Sequence, residues 1–329
     1  MARTTITRNV SISSASSTTL ATIRAGLSAR SYAQLPVTWP GGSSSFWLVP
    51  GATENILTYT NAGTWDPTSR KMLFLGCGYV QSRLVQYDEA TNTWSKSDPN
   101  PPGNIIHAWD HNAIDTERGH FYASNQNGSG YWKYIISTGT WSSVAGNAVS
   151  ETHGVTWFPE ADSLISVPPS SGQIKALAAG AGSWTNFATT SYATNYHGFA
   201  EYDPIRGVVY FGGGSNNSSA LYKLTSAGVV TQLASAPAGV MDLGGSSGGN
   251  TCCDPVTGHL IVRARPSGTM YAYNPDTNAW STITTTGGSF LEGKSMCMCV
   301  PISTHGVIMY IGTSDGPGNN TVCGIYRHT

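Results

Sequence analysis

Two turn motifs alternate along this chain, and their spacing limits what it can fold into more than any other feature. The first places Asn or Gly two residues ahead of a bulky side chain. Its copies are Thr91-Asn92-Thr93-Trp94, Thr138-Gly139-Thr140-Trp141, Ala181-Gly182-Ser183-Trp184, Ala227-Gly228-Val229-Val230 and Thr277-Asn278-Ala279-Trp280, spaced 43–50 residues apart. Asn and Gly tolerate the positive φ of a tight hairpin, so each copy reads as a turn whose bulky residue opens the next strand. The second motif begins on Asp or Pro and precedes an apolar run. It stands at Asp66-Pro67, Asp115 to Gly119, Pro159 to Asp162, Asp203-Pro204 to Gly207, Asp254-Pro255 to Gly258 and Pro301 to Gly306, spaced 44–51 residues apart. In such a turn Pro presets φ, Asp bonds back to nearby amides and Gly takes the left-handed end.

Each period has room for four short strands and shows no helical pattern. That is the signature of a β-propeller blade. Six copies span roughly residues 60–329, so six blades are expected, with seven as the alternative count. The last copy stops after its third strand, Thr321 to Tyr326, without a turn or a fourth strand. Ser31-Tyr32-Ala33-Gln34-Leu35-Pro36 reads as an orphan fourth strand, and lending residues 31–37 to the last blade would hide two strand edges. Tyr32 then takes the place that Trp94 holds in the first blade. The expected fold is therefore all-β: one propeller over residues 31–329, closed by its own N-terminal strand, behind a short extension at residues 1–30.

The pattern resembles kelch-type propellers, whose blades carry a Gly pair after the second strand and a Tyr-to-Trp spacing into the fourth. Here the Gly pair is clean at Gly212-Gly213-Gly214 and partial at Gly76-Cys77-Gly78. The copper site of galactose-oxidase-like propellers has no counterpart in these residues, so no cofactor is expected.

Composition removes several classes of function. Charged residues make up 11% of the chain and the net charge is −1, against about 25% charged residues in typical soluble proteins. No basic cluster exceeds two adjacent residues, so the electrostatic footprint of nucleic-acid binding is missing. No apolar run reaches the roughly 18 residues of a membrane span, and the N-terminus lacks the apolar core of a secretory signal. The six cysteines, Cys77, Cys252, Cys253, Cys297, Cys299 and Cys323, have no zinc-type spacing, so no metal site is predicted. They read as buried free thiols, with a disulfide between neighbouring blades as the alternative.

In a propeller the first strand of each blade lines the central channel, so the residues opening these strands are where chemistry is sought. They include Asp110, His111, Glu151, His153, Tyr196, His197 and Lys294. His153 and His197 sit six residues ahead of equivalent turns in consecutive blades, which makes them expected neighbours. Imidazoles beside carboxylates can bind a metal or serve as base and acid on a sugar; equally, polar residues at these positions simply hydrate a channel. Trp39, Trp47, Trp109, Trp132 and Trp157 fall outside the repeat register. With Tyr79, Tyr192 and Tyr196 they offer flat surfaces for sugar stacking, unless they serve as core.

Within residues 1–30, Ile6, Val10 and Ile12 share one face of a candidate strand, and Leu20, Ile23 and Leu27 one face of a short helix. Such a segment either packs on its own propeller or docks into a larger assembly. The low charge and the Ser/Thr/Gly/Asn-rich surface resemble phage virion proteins of the fibre or decoration type. That resemblance implies a non-enzymatic propeller made in the host cytoplasm and carried on the virion, with residues 1–30 holding other structural proteins and the blades meeting a partner or host glycan. The alternatives are a carbohydrate-active enzyme, a lyase or hydrolase using the channel residues, and a cytoplasmic adaptor.

Overall fold

A computed structural model describes residues 18–48, 55–57, 60, 62–77, 82–96, 108, 110–124, 130–146, 154–167, 172–194, 197–215, 217, 219–241, 251–264, 267–294, 296–313 and 321–329. It contains six four-stranded antiparallel sheets. Blade 1 is Thr64–Asp66, Lys71–Cys77, Ser82–Asp88 and Thr93–Lys96, and blade 2 is Asn112–Asp115, His120–Ser124, Tyr131–Ile135 and Thr140–Ala145. Blade 3 is Gly154–Phe158, Ser163–Val167, Gln173–Ala178 and Thr185–Thr189, and blade 4 is Phe199–Asp203, Val208–Gly212, Leu221–Thr225 and Val230–Gln232. Blade 5 is Thr251–Cys253, Leu260–Arg263, Met270–Asn274 and Ala279–Ile283. Blade 6 takes Met296–Ile302, Val307–Thr313 and Val322–Arg327 from the C-terminal end and Ser31–Gln34 from the other. The first strands touch one another in sequence around the ring, and blade 6 touches blade 1. The count is six.

The core is divided as the blades are. Six apolar clusters each straddle one interface between neighbours. The second strand of a blade is covered on both faces, so Ser163–Val167, Val208–Gly212 and Val307–Thr313 are buried throughout and read as unbroken apolar runs rather than alternating ones. In blade 5 the two adjacent thiols face opposite ways, Cys252 toward blade 6 and Cys253 toward blade 4. Cys252, Cys253, Cys299 and Cys323 are free and buried, and burial pushes the thiols of Cys252 and Cys253 well above their usual range. The side chains of Cys77 and Cys297 lie outside the described residues.

The Asp turns work as their chemistry requires. Asp66, Asp115, Asp203 and Asp254 are buried, and each carboxylate accepts the amides two and three residues on. Every one of the six turns ends in the left-handed region, at Arg70, Gly119, Asp162, Gly207, Gly258 and Gly306. Pro301 departs from expectation by pairing with Ile308 inside the first strand of blade 6. The hairpin turns match at Asn92, Gly139, Gly228 and Asn278, but in blade 3 the left-handed residue is Gly180 rather than Gly182. There the fourth strand begins only after Trp184.

Residues 31–34 close the ring as the truncated last repeat demands. Tyr32 pairs with Tyr326 as Trp94 pairs with Tyr87 and Trp280 with Tyr273. Its ring lies 4.7 Å from Tyr326 and 5.5 Å from Tyr310, and its hydroxyl donates to Met270 Sδ at 3.1 Å. The chain then runs on to blade 1, where Thr38 and Trp94 pair by their backbones and Trp39 stacks on Trp94 at 5.3 Å.

The extension expected at residues 1–30 is divided. Residues 1–17, with Ile6, Val10 and Ile12, lie outside the described residues. From Thr18 onward the chain belongs to the propeller. Thr18 caps the helix Thr19–Ala25, Leu20 and Leu27 are buried in the blade 6–blade 1 cluster, and Ile23 packs beside them. Beneath that helix Glu89 is fully buried. Its carboxylate accepts Thr18 Oγ1 at 2.6 Å, Arg70 Nη2 at 2.6 Å, Arg70 Nε at 2.9 Å and His305 Nε2 at 2.9 Å. Arg24 Nε holds the His305 carbonyl at 2.9 Å. One carboxylate thus ties the helix, blade 1 and blade 6 together. On the blade 5–blade 6 seam, His259 Nδ1 lies 3.1 Å from His328 Nε2, and His328 Nδ1 3.2 Å from the Tyr326 hydroxyl.

Three outcomes follow for stability. Tyr32→Ala should cost about 3–5 kcal/mol in urea unfolding, as for other buried aromatics, and a chain beginning at residue 39 should aggregate in sedimentation. An unchanged midpoint and a monomeric truncate would refute strand closure. Burial works to raise the Glu89 pKa, but the bonds from His305, Arg70 and Thr18 outweigh it and hold the value at about 2. The carboxylate therefore contributes its full stability above its ordinary value of 4.5 and loses it as pH falls toward about 2. Glu89→Gln should remove that acid limb and cost about 3 kcal/mol at neutral pH. Burial lowers the pKa of both His259 and His328 from 6.5, so their contribution is present above pH 6.5 and fades below it. A urea midpoint independent of pH between 7 and 3 would contradict both assignments.

Candidate functional site

Two places in the ring bring polar groups together. The first is where the inner strands open. Asp110 and His111 are buried just ahead of the first strand of blade 2, and the Asp110 carbonyl accepts Val155 N from blade 3 at 3.1 Å. His197, ahead of blade 4, is buried with φ at +63°. A non-glycine residue in that region is strained and must be held by its surroundings. Glycines make the approach there: a Cβ on Gly154 would strike the backbone of Phe199 and Ala200, and one on Gly198 the Tyr192 hydroxyl. The chain after His153 is therefore pressed against the chain after His197, as the repeat register implies. The separation of the two imidazoles itself lies outside the described residues.

Sequence reasoning missed Glu201. It lies in the first strand of blade 4, opposite Tyr210, and is half-buried. Packed protein around its carboxyl, and then the negative charge of Asp110, push its pKa well above the carboxylate range. The overlooked signal was a carboxylate inside the otherwise apolar run Phe199-Ala200-Glu201-Tyr202, a residue type that is rarely buried without a reason. For an acid whose pKa is raised on folding, the folded form holds the extra proton, and stability falls as pH climbs from 4.5 through the folded value. Glu201→Gln should thus raise the melting temperature more at pH 8 than at pH 5. An equal effect at both values would mean that Glu201 is ionised throughout.

The second place is a cavity of about 510 Å³ between blades 2 and 3, on the side of the Asp turns. Tyr122 and Trp157 stack on each other beside it, 5.7 Å apart and 3° from parallel, and both are buried. The Arg118 guanidinium lies 5.8 Å over the same indole and grips Asp162 at 2.7 and 3.1 Å. His120 meets the Tyr122 ring edge-on at 6.3 Å. Burial, followed by the positive charge of Lys133, lowers the His120 pKa, so this imidazole is neutral at pH 7. Lys133 is the cross-strand partner of Tyr122, and the turn from Ala178 to Gly182 forms the far wall. The cavity has a rim of donors and acceptors above two rings that are almost wholly covered.

The other sequence candidates are distributed as follows. Trp157 is buried as a wall of that cavity. Tyr192 is core, not surface: its ring packs on Phe211 and Tyr222, and its hydroxyl donates to the carbonyls of Gly212 and Gly213, each at 3.0 Å. Trp132 is half-buried against the blade 1–blade 2 cluster. Trp39 and Trp47 pack in the blade 6–blade 1 cluster. Lys294 is half-buried at the entry to blade 6, where its stem neighbours Gly312. Trp109, Glu151, His153, Tyr196 and Tyr79 lie outside the described residues.

No protein-family model and no curated protein matches the chain. Solved structures do. A chain of a nidogen/laminin complex aligns with TM-score 0.51 and 7% identity over 67% of this chain and 78% of that one. A GH74 enzyme of Niastella koreensis aligns with TM-score 0.51 and 18% identity over 80% of this chain. This chain spans 45% of that enzyme's length. The calcium-binding protein regucalcin of Agrobacterium tumefaciens aligns with TM-score 0.50 and 11% identity over 83% and 93%. At such identities the likeness is one of fold, and it agrees with the six blades in a ring. The chain is an all-β, six-bladed propeller.

Proposed function

We propose that this propeller is a non-enzymatic, virion-associated binding protein. In this reading residues 1–17 dock it onto other structural proteins of a larger assembly, and the blades present a site for a host-surface glycan. The cavity between blades 2 and 3 carries the reading. Its size falls in the range of small-ligand sites, about 300–1,000 Å³, and its rim of donors and acceptors suits a saccharide. The docking role moves to the first 17 residues because Leu20 and Leu27 are already committed to the propeller's own core. The low charge of the chain supports a life in a packed particle.

Ala178 is exposed at the edge of the cavity, so Ala178→Trp would fill the site without touching the core. That variant should keep its melting temperature and lose binding on a glycan array. A chain lacking residues 1–17 should fold normally and fail to enter particles, as read by immunogold electron microscopy. Wild-type binding by Ala178→Trp, or normal assembly by the shortened chain, would sink the corresponding half of the proposal.

A second reading, acid–base chemistry on a saccharide in the channel, is favoured by Glu201. Its raised pKa is what a general acid at neutral pH needs. Chain shortening of a polysaccharide by the protein, abolished in Glu201→Gln, would establish it. Intact substrates across acidic and neutral polysaccharides would rule it out.

A further inference from the structure

We infer that Cys252 and Cys299 form a redox site between blades 5 and 6, a dithiol that a low-molecular-weight disulfide of the glutathione type oxidises to an inter-blade cross-link. The inference is independent of the glycan reading and rests on the alternation of side chains along two inner strands.

Strand periodicity selects this pair. In the first strand of blade 6, Met298, Val300 and Ile302 belong to the blade 6–blade 1 cluster, and Cys299 between them turns the other way, into the blade 5–blade 6 cluster. In the first strand of blade 5, Cys252 enters that same cluster while Cys253 turns to blade 4. Successive residues of a strand face opposite sides, and the two first strands touch, so the two thiols meet at the seam. They share a hydrogen bond. The other described thiols are placed apart, Cys253 in the blade 4–blade 5 cluster and Cys323 in the blade 6–blade 1 cluster. Around the pair the seam holds Met270 and Leu291. A thioether adapts its shape to the small approach that converts two touching thiols into one bond.

The oxidation balances on these two residues. One thiol, as its thiolate, attacks a sulfur of the small disulfide, joins it in a mixed disulfide and expels the first small thiol. The second thiolate then attacks the protein sulfur of that mixed disulfide and expels the other. The bond between Cys252 Sγ and Cys299 Sγ forms and the oxidant's S–S bond is lost. Two electrons pass from the cysteines to the oxidant, and the two thiol protons end on the released thiols. Burial, and then the bond to Cys299, hold the Cys252 thiol well above its usual pKa, and both side chains are buried. The pair is therefore inert while the seam is closed and reacts when it opens. Once made, the bond closes the loop from residue 252 to residue 299, which contains the other three strands of blade 5. Constraining the unfolded chain over such a loop favours the folded state by about 30- to 1,000-fold. A dithiol of this kind persists in a reducing compartment and becomes a cross-link outside one.

The test holds the folded full chain with glutathione disulfide across a urea series below its unfolding midpoint, so that seams open while the ring persists. Samples are quenched in acid, alkylated, digested and mapped by mass spectrometry, and the urea midpoint is then measured with and without dithiothreitol. A peptide linking Cys252 to Cys299 should accumulate faster as urea rises. The oxidised chain should show a higher midpoint that falls back on reduction. Cys252→Ala should abolish the oxidant-dependent gain, and Cys253→Ala should keep it. Glutathione adducts without a cross-link, or a cross-link from Cys252 to Cys297 or any other cysteine, would overturn the inference. So would thiols that stay reduced up to the midpoint, or an oxidised chain less stable than the reduced one.

Discussion

The pairing of Ser31–Gln34 with Val322–Arg327 is the contact on which the ring depends. A propeller is a closed chain of interfaces, and each blade has its apolar faces covered only if both neighbours are present. Opening one seam would leave the edge of the third strand of blade 6 unpaired and strip the cover from the blade 6–blade 1 cluster. The sequence concentrates its reinforcement here. Tyr32 sits within reach of Tyr310, Tyr326 and Phe290, the strand before it is braced by the capped helix, and Glu89 gathers donors from three segments into one carboxylate. Here the hub is a fully buried carboxylate, whereas the blade 2–3 and blade 4–5 seams are bridged by the partly exposed arginines Arg118 and Arg206.

The remaining seams are held by cheaper means, and this explains how so few charges suffice. The buried Asp at the end of an inner strand satisfies turn amides that would otherwise be orphaned. In blades 2 and 4 the same Asp also takes an arginine that reaches across to the next blade: Arg118 to Asp162 and Arg206 to the Thr257 carbonyl and Asp276. The hairpin tryptophans add a second tie. Trp184 and Trp280 donate their indole N–H to Gly146 and Ala234 of the preceding blade, at 2.8 and 2.9 Å. Trp94 has Trp39 stacked on it instead, because the segment before blade 1 is the run-on from the closing strand. The repeat is thus adapted where the ring is joined.

Much of this architecture was legible because turns leave local chemical marks. Asp-Pro, closing Gly and Asn or Gly before Trp each answer a backbone requirement that few other residues meet, so the strand count and the orphan strand could be read without long-range information. The failures have equally local causes. Blade 3 carries two glycines in its hairpin, and nothing in Ala181-Gly182-Ser183-Trp184 tells that Gly180 takes the left-handed position. The site was far less legible, because function depends on which side of a strand meets which neighbour. Tyr192 and Trp157 are similar flat residues in sequence, yet one is sealed by the Gly212 and Gly213 carbonyls and the other walls a cavity. Glu201 was hidden by its apolar neighbours, and Lys133 by its place between two blade-core aromatics. Neither is marked by a motif.

The two polar regions differ in a way that bears on how the molecule meets a ligand. Inside the ring, burial first and the negative charge of Asp110 second raise the pKa of Glu201 well above the carboxylate range. Between blades 2 and 3 the carboxylates are met by cations instead: Arg118 contacts both Asp115 and Asp162, and the Lys133 amine lines the same cavity. Burial and then this amine lower the His120 pKa, so the two cations and two carboxylates balance without it. One fold thus holds a carboxylate whose pKa is raised by its surroundings and carboxylates that are paired with arginine, within a strand pattern that gives no hint of the difference.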